Sequence, residues 1–478
     1  MVNFDDPNQT EIIEFTLPFS GRLHPNNMWI KLSRILPWDE LSEKYTKKMC
    51  KDFGRLSIKP RVAIGALIIK HYKNLSDEDT IEEIKENPYL QFFLGYKSFQ
   101  YVPCFDPSLF VTIRNRIGAW EIARINEIFI QKIREHQASE KEQKKSKKRM
   151  AKSKNTDEVD KDPKNHGKMI VDATVAPSNI KYPTDLDLLG KSREISEELI
   201  DRLYSTEQFD QKPRTYCRKA RKDYLRVVKM KRKRHQDIRW GIKKQLQYLR
   251  RNLGTIGGML SNLKDHPAVL SSKERIQFAT ISQIFEQQEK MFVEGVHSVE
   301  NRIVSIDQPY IRPIVRGKQN ADVEFGAKAS LSVIDGFVYL SHLSWEPFNE
   351  GLDLIAQVNR YKLLHGYYPK VVLADKIYGT LANRNYPEDS RLELGERNEI
   401  EGKIGTAKTR FGLGKVMTKR QKTSGNYIAM AIFTLNMATA LRRLLLSLLE
   451  NGIKWIKTLF DWDFFISRRP FLLPSYDK

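Results

Sequence analysis

The sequence has few cysteines and a shortage of acidic residues. Its three cysteines, Cys50, Cys104 and Cys217, are far apart and form no C-x-x-C pair. That spacing excludes a disulfide-rich scaffold and a cysteine zinc site, and it fits a reducing compartment. No functional site is therefore expected to depend on sulfur.

Long apolar segments are also scarce. The N-terminal residues "MVNFDDPNQTEIIEF" lack the apolar core of a signal peptide, so we do not expect secretion. One apolar run, residues 428–449, is long enough to span a bilayer, but it contains Arg442 and Arg443. Each arginine would cost roughly 2.5 to 3.5 kcal/mol near a membrane centre, so the run predicts a buried helix.

The cationic residues are in large excess. The 478 residues include 81 Lys and Arg against 59 Asp and Glu, for a formal net charge of +22. Such a surplus implies a polyanionic partner, either a nucleic acid or an anionic membrane. Residues 213–251 hold 16 Lys and Arg but only two Asp, which favours a phosphate-contacting surface over an ordinary solvated helix face. The candidate contacts there are Arg232, Lys233, Arg234, Lys243 and Lys244.

Most of the chain outside the strand-forming segments has helical patterning. Residues 1–137 predict helices, with Ser76 as an N-cap and a short turn at 74–76 that resembles a helix-turn-helix. Plain helical packing is an equal alternative to DNA reading there. Residues 138–166 predict a charged linker, for which DNA contact is a secondary possibility. The basic stretch 179–300 predicts helices interrupted at Gly254, Gly257 and Gly258, which the family resemblance given below implies to be an insertion, and residues 441–478 predict a helical tail.

Two aspartates accompany the predicted strands. "GKMIVDATVAPSN", residues 167–179, alternates as a mostly buried strand with Asp172 in its middle. A structural Asp at a turn is the alternative, but a mid-strand carboxylate favours a metal ligand, because burying it alone is costly. "VEFGAKASLSVIDGFVYLSHLSW" predicts a hairpin turning at Asp335-Gly336. A helix ending at Gly366 and a buried strand ending at Asp375 follow.

A third acid lies on a predicted helix, "RNEIEGKIGTAKTRFGLGK", residues 397–415. Arg397, Glu401 and Lys408 share one helix face. Gly402 and Gly405 are explained if the backbone comes close to the sheet or to DNA. Alone, this pattern is more typical of a salt-bridged helix. Together with two strand aspartates it predicts a site for two Mg²⁺ or Mn²⁺ ions and phosphoryl transfer.

These segments resemble a known family, the bacterial insertion-sequence DDE transposases. Arg397-x₃-Glu401-x₆-Lys408 resembles part of its signature, and "DATVAPSNIKYPTD", "RPIVRGKQNADVEFGAKASLS", "LADKIYGTLANRNY", "NPYLQFFLGY" and "FDPSLFVTIRNRIG" are similar to its blocks. The resemblance implies an α/β fold: a mixed, ribonuclease-H-like sheet from residues 167–178 and 301–440, following a helical DNA-binding domain at 1–137.

The resemblance also implies roles for individual residues. Asp172, Asp375 and Glu401 would form the metal-binding catalytic triad, while Arg397 and Lys408 would contact DNA near the cleaved strand. The implied cofactor is a pair of Mg²⁺ or Mn²⁺ ions. The implied partners are double-stranded DNA with terminal inverted repeats, target DNA and further copies of the chain, as a homodimer or higher oligomer. A membrane is not implied, and the location would be the bacterial cytoplasm, at the nucleoid.

The sequence departs from the family pattern in two ways. Leu394 stands where the signature has Tyr, and Glu401 follows Asp375 by only 26 positions. The short interval predicts no well-paired strand after Asp375, although Glu401 should still approach the aspartates. Glu396 or Glu399 would be the third acid in another helix register. The alternative function is a catalytically impaired, decayed transposase that binds DNA without cutting it. A non-catalytic basic scaffold would explain the charge but not the strand acids.

Overall fold

The computed structural model describes residues 3, 14–18, 21–47, 49–50, 52–150, 165–204, 211–262, 270–318, 321–386, 390–395 and 397–466. The described residues combine helices with a mixed sheet, compatible with the predicted α/β class.

In the described residues, seven helices precede the first strand: α1 (Met28–Ile35), α2 (Trp38–Thr46), α3 (Pro60–Lys73), α4 (Asp77–Glu86), α5 (Pro88–Phe93), α6 (Leu109–Arg116) and α7 (Ala119–Met150). Asn74 ends α3 in the left-handed conformation with φ 54°. The Ser76 hydroxyl accepts a hydrogen bond from the Asp79 N–H and so caps α4. The predicted pair of helices joined at 74–76 is confirmed.

The helix α7 extends beyond the predicted domain boundary. It continues to Met150, so the charged segment 138–166 begins as a helix. Its many Lys, Glu and Gln residues are good helix formers, and the charge itself does not prevent a helix. Residues 151–164 of that segment lie outside the described part of the chain.

Six strands form one mixed sheet: β1 (Lys168–Pro177), β2 (Arg312–Lys318), β3 (Ala321–Ile334), β4 (Phe337–Ser344), β5 (Val371–Ala374) and β6 (Arg391–Leu394). Their order is β2-β3-β1-β5-β6, and β4 also pairs with β3. β1 is antiparallel to β3 but parallel to β5, and β6 is parallel to β5. Asp335 and Gly336 join β3 to β4 with φ of 50° and 72°, confirming the predicted hairpin.

The prediction of no paired strand after Asp375 is wrong. β6 pairs with β5 over four residues, from Val371↔Arg391 to Ala374↔Leu394. The connection between β5 and β6 is short enough for the interval from Asp375 to Glu401. The only α-helix that the described residues place in it is the single-turn α13 (Leu381–Arg384). A four-residue edge strand reading "RLEL" has too little apolar periodicity to be recognised from sequence.

Between β1 and β2 the described part of the chain has four helices: α8 (Asp185–Tyr204), α9 (Cys217–Val228), α10 (His235–Asn262) and α11 (Ser272–Glu294). They surround a core of their own that includes Leu199, Ile256 and Ile281. The prediction of breaks at Gly254, Gly257 and Gly258 is wrong, because α10 continues through them. Burial of the opposite face, including Ile256, offsets the cost of about 1 kcal/mol per glycine.

The remaining helices are α12 (Leu354–His365), α14 (Asn398–Arg410) and α15 (Gln421–Ile466). α12 ends at Gly366, in the left-handed conformation, as predicted. One apolar core unites the N-terminal helices, the sheet and the first half of α15. This shared core joins the residues on either side of the predicted boundary at residue 137. The domain boundaries therefore remain predictions.

The helix α15 carries the apolar run singled out in the sequence. Among the described residues, the segment 421–446 is long and apolar enough to cross a membrane, but 67% of its apolar window is buried within the protein. Ile428, Phe433 and Met437 are among its fully or nearly fully buried side chains. The buried helix predicted for 428–449 is confirmed for residues 428–441, whereas Arg442, Leu445 and Leu446 are exposed.

Candidate active site

Asp172 lies in the middle of β1, opposite Leu331 of β3. Its side chain is 17% exposed, and one carboxylate oxygen accepts a hydrogen bond from the Ala173 N–H at 2.8 Å. Burial raises the pKa of Asp172, although the Arg397 guanidinium opposes the rise. A carboxylate held in this environment is costly unless a cation meets it.

Asp375 follows β5 directly. It begins a 3₁₀ turn, and its side chain accepts a hydrogen bond from the Lys376 N–H at 2.6 Å. β1 and β5 are parallel, with Ile170 opposite Leu373. Extending that register by two residues places Asp172 level with Asp375, so the two carboxylates belong to one edge of the sheet.

Glu401 lies in the first turn of α14, and Arg397 is the N-cap residue of that helix. The Arg397 guanidinium meets all three acids. Its nitrogens lie 2.8 Å from an Asp172 oxygen, 3.3 Å from an Asp375 oxygen and 3.5 Å from a Glu401 oxygen. One cation thus bridges the three carboxylates, and the metal-binding triad stays a prediction.

The contacts of Arg397 are mainly electrostatic. The nitrogen nearest Asp172 is at ion-pair distance but lacks hydrogen-bond geometry, whereas the contact to Asp375 is a hydrogen bond. Within the described part of the chain, no three His, Cys, Asp or Glu side chains are grouped closely enough to count as a metal-binding cluster. The acids therefore converge on the guanidinium rather than on a common point between themselves.

These side chains line a cleft of about 590 Å³. Lys408 also lines it, on the same side as Glu401. Two further charged residues in its wall were missed by the sequence analysis, Lys328 on β3 and Glu350 in the 3₁₀ turn before α12. Their side chains pair at 2.9 Å, and each is 16% exposed. Lys328 falls in the polar phase of the β3 alternation, so no local signal in the sequence marks the pair.

We expect the Lys328–Glu350 pair to stabilise the fold. Replacing Lys328 by Met should lower the free energy of unfolding by about 3 kcal/mol, because Glu350 would stay buried without its cation. Urea unfolding of the two proteins measures the loss. In the double variant Lys328→Met, Glu350→Leu the loss should be smaller, since two apolar side chains leave no unpaired charge. Equal losses in the single and double variants would contradict this assignment.

Of the two alternatives for the third acid, the structure describes Glu399. Glu399 points toward the β3–β4 turn, near Gly336 and Arg443, and does not line the cleft. Glu396 lies outside the described residues. Leu394, which stands where the family has Tyr, ends β6 beside Gly379. Among Glu396, Glu399 and Glu401, the described residues place only Glu401 in the cleft.

The explanation of Gly402 and Gly405 by close approach to the sheet is wrong. A Cβ at either position would meet no atom within 4 Å. Both glycines are exposed, and Gly405 lies in the cleft wall. Because glycine has no side chain, nothing projects from the helix surface at these two positions. The predicted close approach of the backbone to DNA remains a prediction.

The basic residues of the insertion lie apart from the cleft. Arg232, Lys233 and Arg234 are exposed in the turn between α9 and α10, while Lys243 is exposed and Lys244 half-buried on α10. None of these residues lines the cleft. Other cations of the same run pack on aromatic rings, as Arg226 does on Trp240 and Arg239 on Phe292. Both of these arginines remain exposed, so the run presents nearly all of its cations to solvent.

Comparison with known proteins identifies the N-terminal helices. Residues 18–116 match the family model described as "Transposase domain (DUF772)". The uncharacterized protein ORF8 in the nfe locus of Rhizobium meliloti is 28% identical over 170 residues, which are 36% of this chain and 71% of that protein. No solved structure matches the chain. The match of residues 18–116 to a transposase domain supports the resemblance to bacterial insertion-sequence transposases that the sequence motifs indicate.

Proposed function

We propose that the protein is a DDE DNA transposase that binds the terminal inverted repeats of its element and catalyses metal-dependent strand cleavage and strand transfer. The observation that carries the proposal is the convergence of Asp172, Asp375 and Glu401 on one guanidinium in an open cleft. Mg²⁺-dependent cutting of DNA that carries the terminal repeats is the experiment that tests it.

The sheet supports a ribonuclease-H-like catalytic domain. An antiparallel strand, the central strand and two parallel strands follow each other as β3-β1-β5-β6. The acids occupy the central strand, the end of the adjacent parallel strand and the helix after β6. Successive parallel strands bring their carboxyl ends to one edge, and α14 adds Glu401 there.

The donor set fits two Mg²⁺ or Mn²⁺ ions. Three carboxylates already surround a positive group in a cleft open to solvent, and carboxylate oxygens are the ligands that hard divalent cations prefer. Asp172, Asp375 and Glu401 would hold the ions. Bound ions would activate a water or a 3′ hydroxyl and stabilise the leaving oxygen.

The remaining side chains of the cleft would position the DNA. Lys408 and Arg397 bring positive charge to the lining of the cleft, where they would pair with phosphates. The Lys328–Glu350 pair also lines the cleft and holds its two residues together. Exposed Gly402 and Gly405 leave room for a sugar-phosphate backbone beside Glu401.

The partners follow from the same proposal. They are double-stranded DNA with terminal repeats, target DNA and a second or further copy of the chain on the DNA. The net charge of +22 supports a polyanionic partner. We place this activity at the nucleoid in the bacterial cytoplasm, without a membrane partner.

The exposed basic turn of the insertion should contact DNA phosphates. Replacing Lys231, Arg232, Lys233 and Arg234 by Gln should flatten the plot of log affinity against log salt, by up to about 0.9 for each phosphate that the variant no longer neutralises. Fluorescence anisotropy with labelled duplex at several salt concentrations measures the slope. Sequence preference should be unchanged, because phosphate contacts do not read bases.

A matched control for that measurement is Lys212→Gln, since Lys212 pairs with Asp201 at 2.9 Å on the same insertion. It should leave the slope unchanged. A salt slope that is the same in the fourfold variant and in the wild type would mean that the turn at 231–234 faces solvent in the complex.

The second candidate function is a decayed transposase that binds DNA without cutting it. The observation that favoured it was the short interval between Asp375 and Glu401. Because that interval contains β6 and brings Glu401 to Arg397 beside both aspartates, we favour the catalytic function.

A further inference from the structure

We propose that Arg397 is an internal counter-ion of the acidic cleft, which competes with divalent cations for the carboxylates and weakens metal binding until DNA is present. This inference rests on the proposed function, since it concerns the same three acids. It assigns Arg397 a role before DNA binds, in addition to the contact with DNA.

The first support is the position of the guanidinium. It lies within 3.5 Å of carboxylate oxygens of Asp172, Asp375 and Glu401 at once. A cation bound by those oxygens would occupy the same region. Two positive groups at that separation repel each other strongly in a partly buried cleft, so metal binding requires Arg397 to move.

The second support is the way in which Arg397 is held. It is the N-cap residue of α14 and has no side-chain capping bond. Its side chain is 14% exposed, whereas those of Asp375 and Glu401 are about half exposed. The nitrogen beside Asp172 has ion-pair distance without hydrogen-bond geometry. The guanidinium is therefore held mainly by charge, and another cation can replace it.

The cleft offers a destination for the displaced group. Arg397 and Lys408 line the same open cavity of about 590 Å³. A DNA phosphate entering that cavity would form charge-assisted hydrogen bonds with the guanidinium. Exchange of Arg397 from the carboxylates to a phosphate would open the carboxylates to metal when substrate arrives. Metal occupancy would thus be coupled to DNA binding.

The test is Mn²⁺ binding by DNA-free protein, measured by isothermal titration calorimetry. Arg397→Met removes the competing charge and should bind Mn²⁺ at least about tenfold more tightly than wild type, given the size of such a repulsion. Arg397→Lys keeps the charge but lacks the planar guanidinium that reaches three acids. Its affinity for Mn²⁺ should therefore lie between those of wild type and Arg397→Met. Arg391→Met removes an exposed arginine that pairs with Glu393 on β6, and should bind Mn²⁺ like wild type.

The outcomes separate this inference from the proposed function. Unchanged or weaker Mn²⁺ binding by Arg397→Met and Arg397→Lys would overturn the counter-ion role. The proposed metal site would still stand in that case if wild type bound Mn²⁺ and the Asp172→Asn variant did not. Absence of Mn²⁺ binding in every protein would overturn both. Tight binding by Arg397→Met that disappears on adding Asp172→Asn is the result that we expect.

Discussion

Replacing Asp172 by Asn should lower metal-dependent cleavage of terminal-repeat DNA at least about 10³-fold, equivalent to about 4 kcal/mol of transition-state stabilisation. Asn keeps the size of the side chain but lacks the charge that holds a divalent cation. Glu350 also lines the cleft, but it is paired with Lys328 and is therefore not available to replace Asp172. Single-turnover cleavage of end-labelled DNA measures the loss.

The control for that variant is Asp335→Asn, at the exposed β3–β4 turn. Asp335 has a positive φ, which Asn tolerates, and it pairs with Arg134 at the surface. Asp335→Asn should leave DNA cleavage unchanged. The affinity for duplex DNA should be nearly unchanged in both Asp335→Asn and Asp172→Asn. Cleavage retained by Asp172→Asn would refute the assignment of the triad.

Replacing Asp77 by Ala should lower the free energy of unfolding by about 3 to 5 kcal/mol. The Asp77 carboxylate accepts two hydrogen bonds from Arg114, at 2.8 and 2.9 Å, and lies 3.0 Å from the Lys70 ammonium. Both cations are nearly buried, and the variant leaves them unpaired. Urea unfolding followed by circular dichroism measures the change. Asp79→Ala, which removes an exposed acid from the same helix turn, should cost no more than about 1 kcal/mol.

The contacts of Asp77 with Arg114 and Lys70 also make the free energy of unfolding depend on pH. Burial alone would raise the pKa of Asp77, but the bonds from Arg114 and the charge of Lys70 outweigh it and lower the pKa. The contribution of the Asp77 carboxylate to the free energy of unfolding is therefore fully present above the pKa of Asp in the unfolded chain, about 3.9. It is lost as the pH falls through the lower pKa of Asp77 in the folded protein. Wild type should lose more stability than Asp77→Ala in that acid range. Parallel pH profiles would contradict the assignment.

The sequence predicted those features that depend on local chemistry. Asp172 was recognised because a charged residue in an apolar strand is costly, and the β3–β4 turn because Asp335-Gly336 tolerates positive φ. Ser76 was recognised as an N-cap for the same kind of local reason. Each of these signals lies within a few residues of the feature that it predicts.

Features that depend on distant partners were not predicted. β6 gains its pairing from β5, twenty residues earlier in register, and its own pattern is weak. Lys328 and Glu350 meet across the β3–β4 hairpin. The bridging of three acids by Arg397 was also missed, because helix periodicity placed Arg397 one turn from Glu401 but said nothing of its reach to the aspartates.

The most direct test of the proposed function is cleavage of linear duplex DNA carrying the element's terminal inverted repeats by the intact protein, with Mg²⁺ or Mn²⁺ and with EDTA as the comparison. We predict strand cleavage at the repeat ends that requires the divalent cation. Specific binding of the repeats without cleavage in either metal would contradict the proposed function and favour the decayed, non-cutting protein.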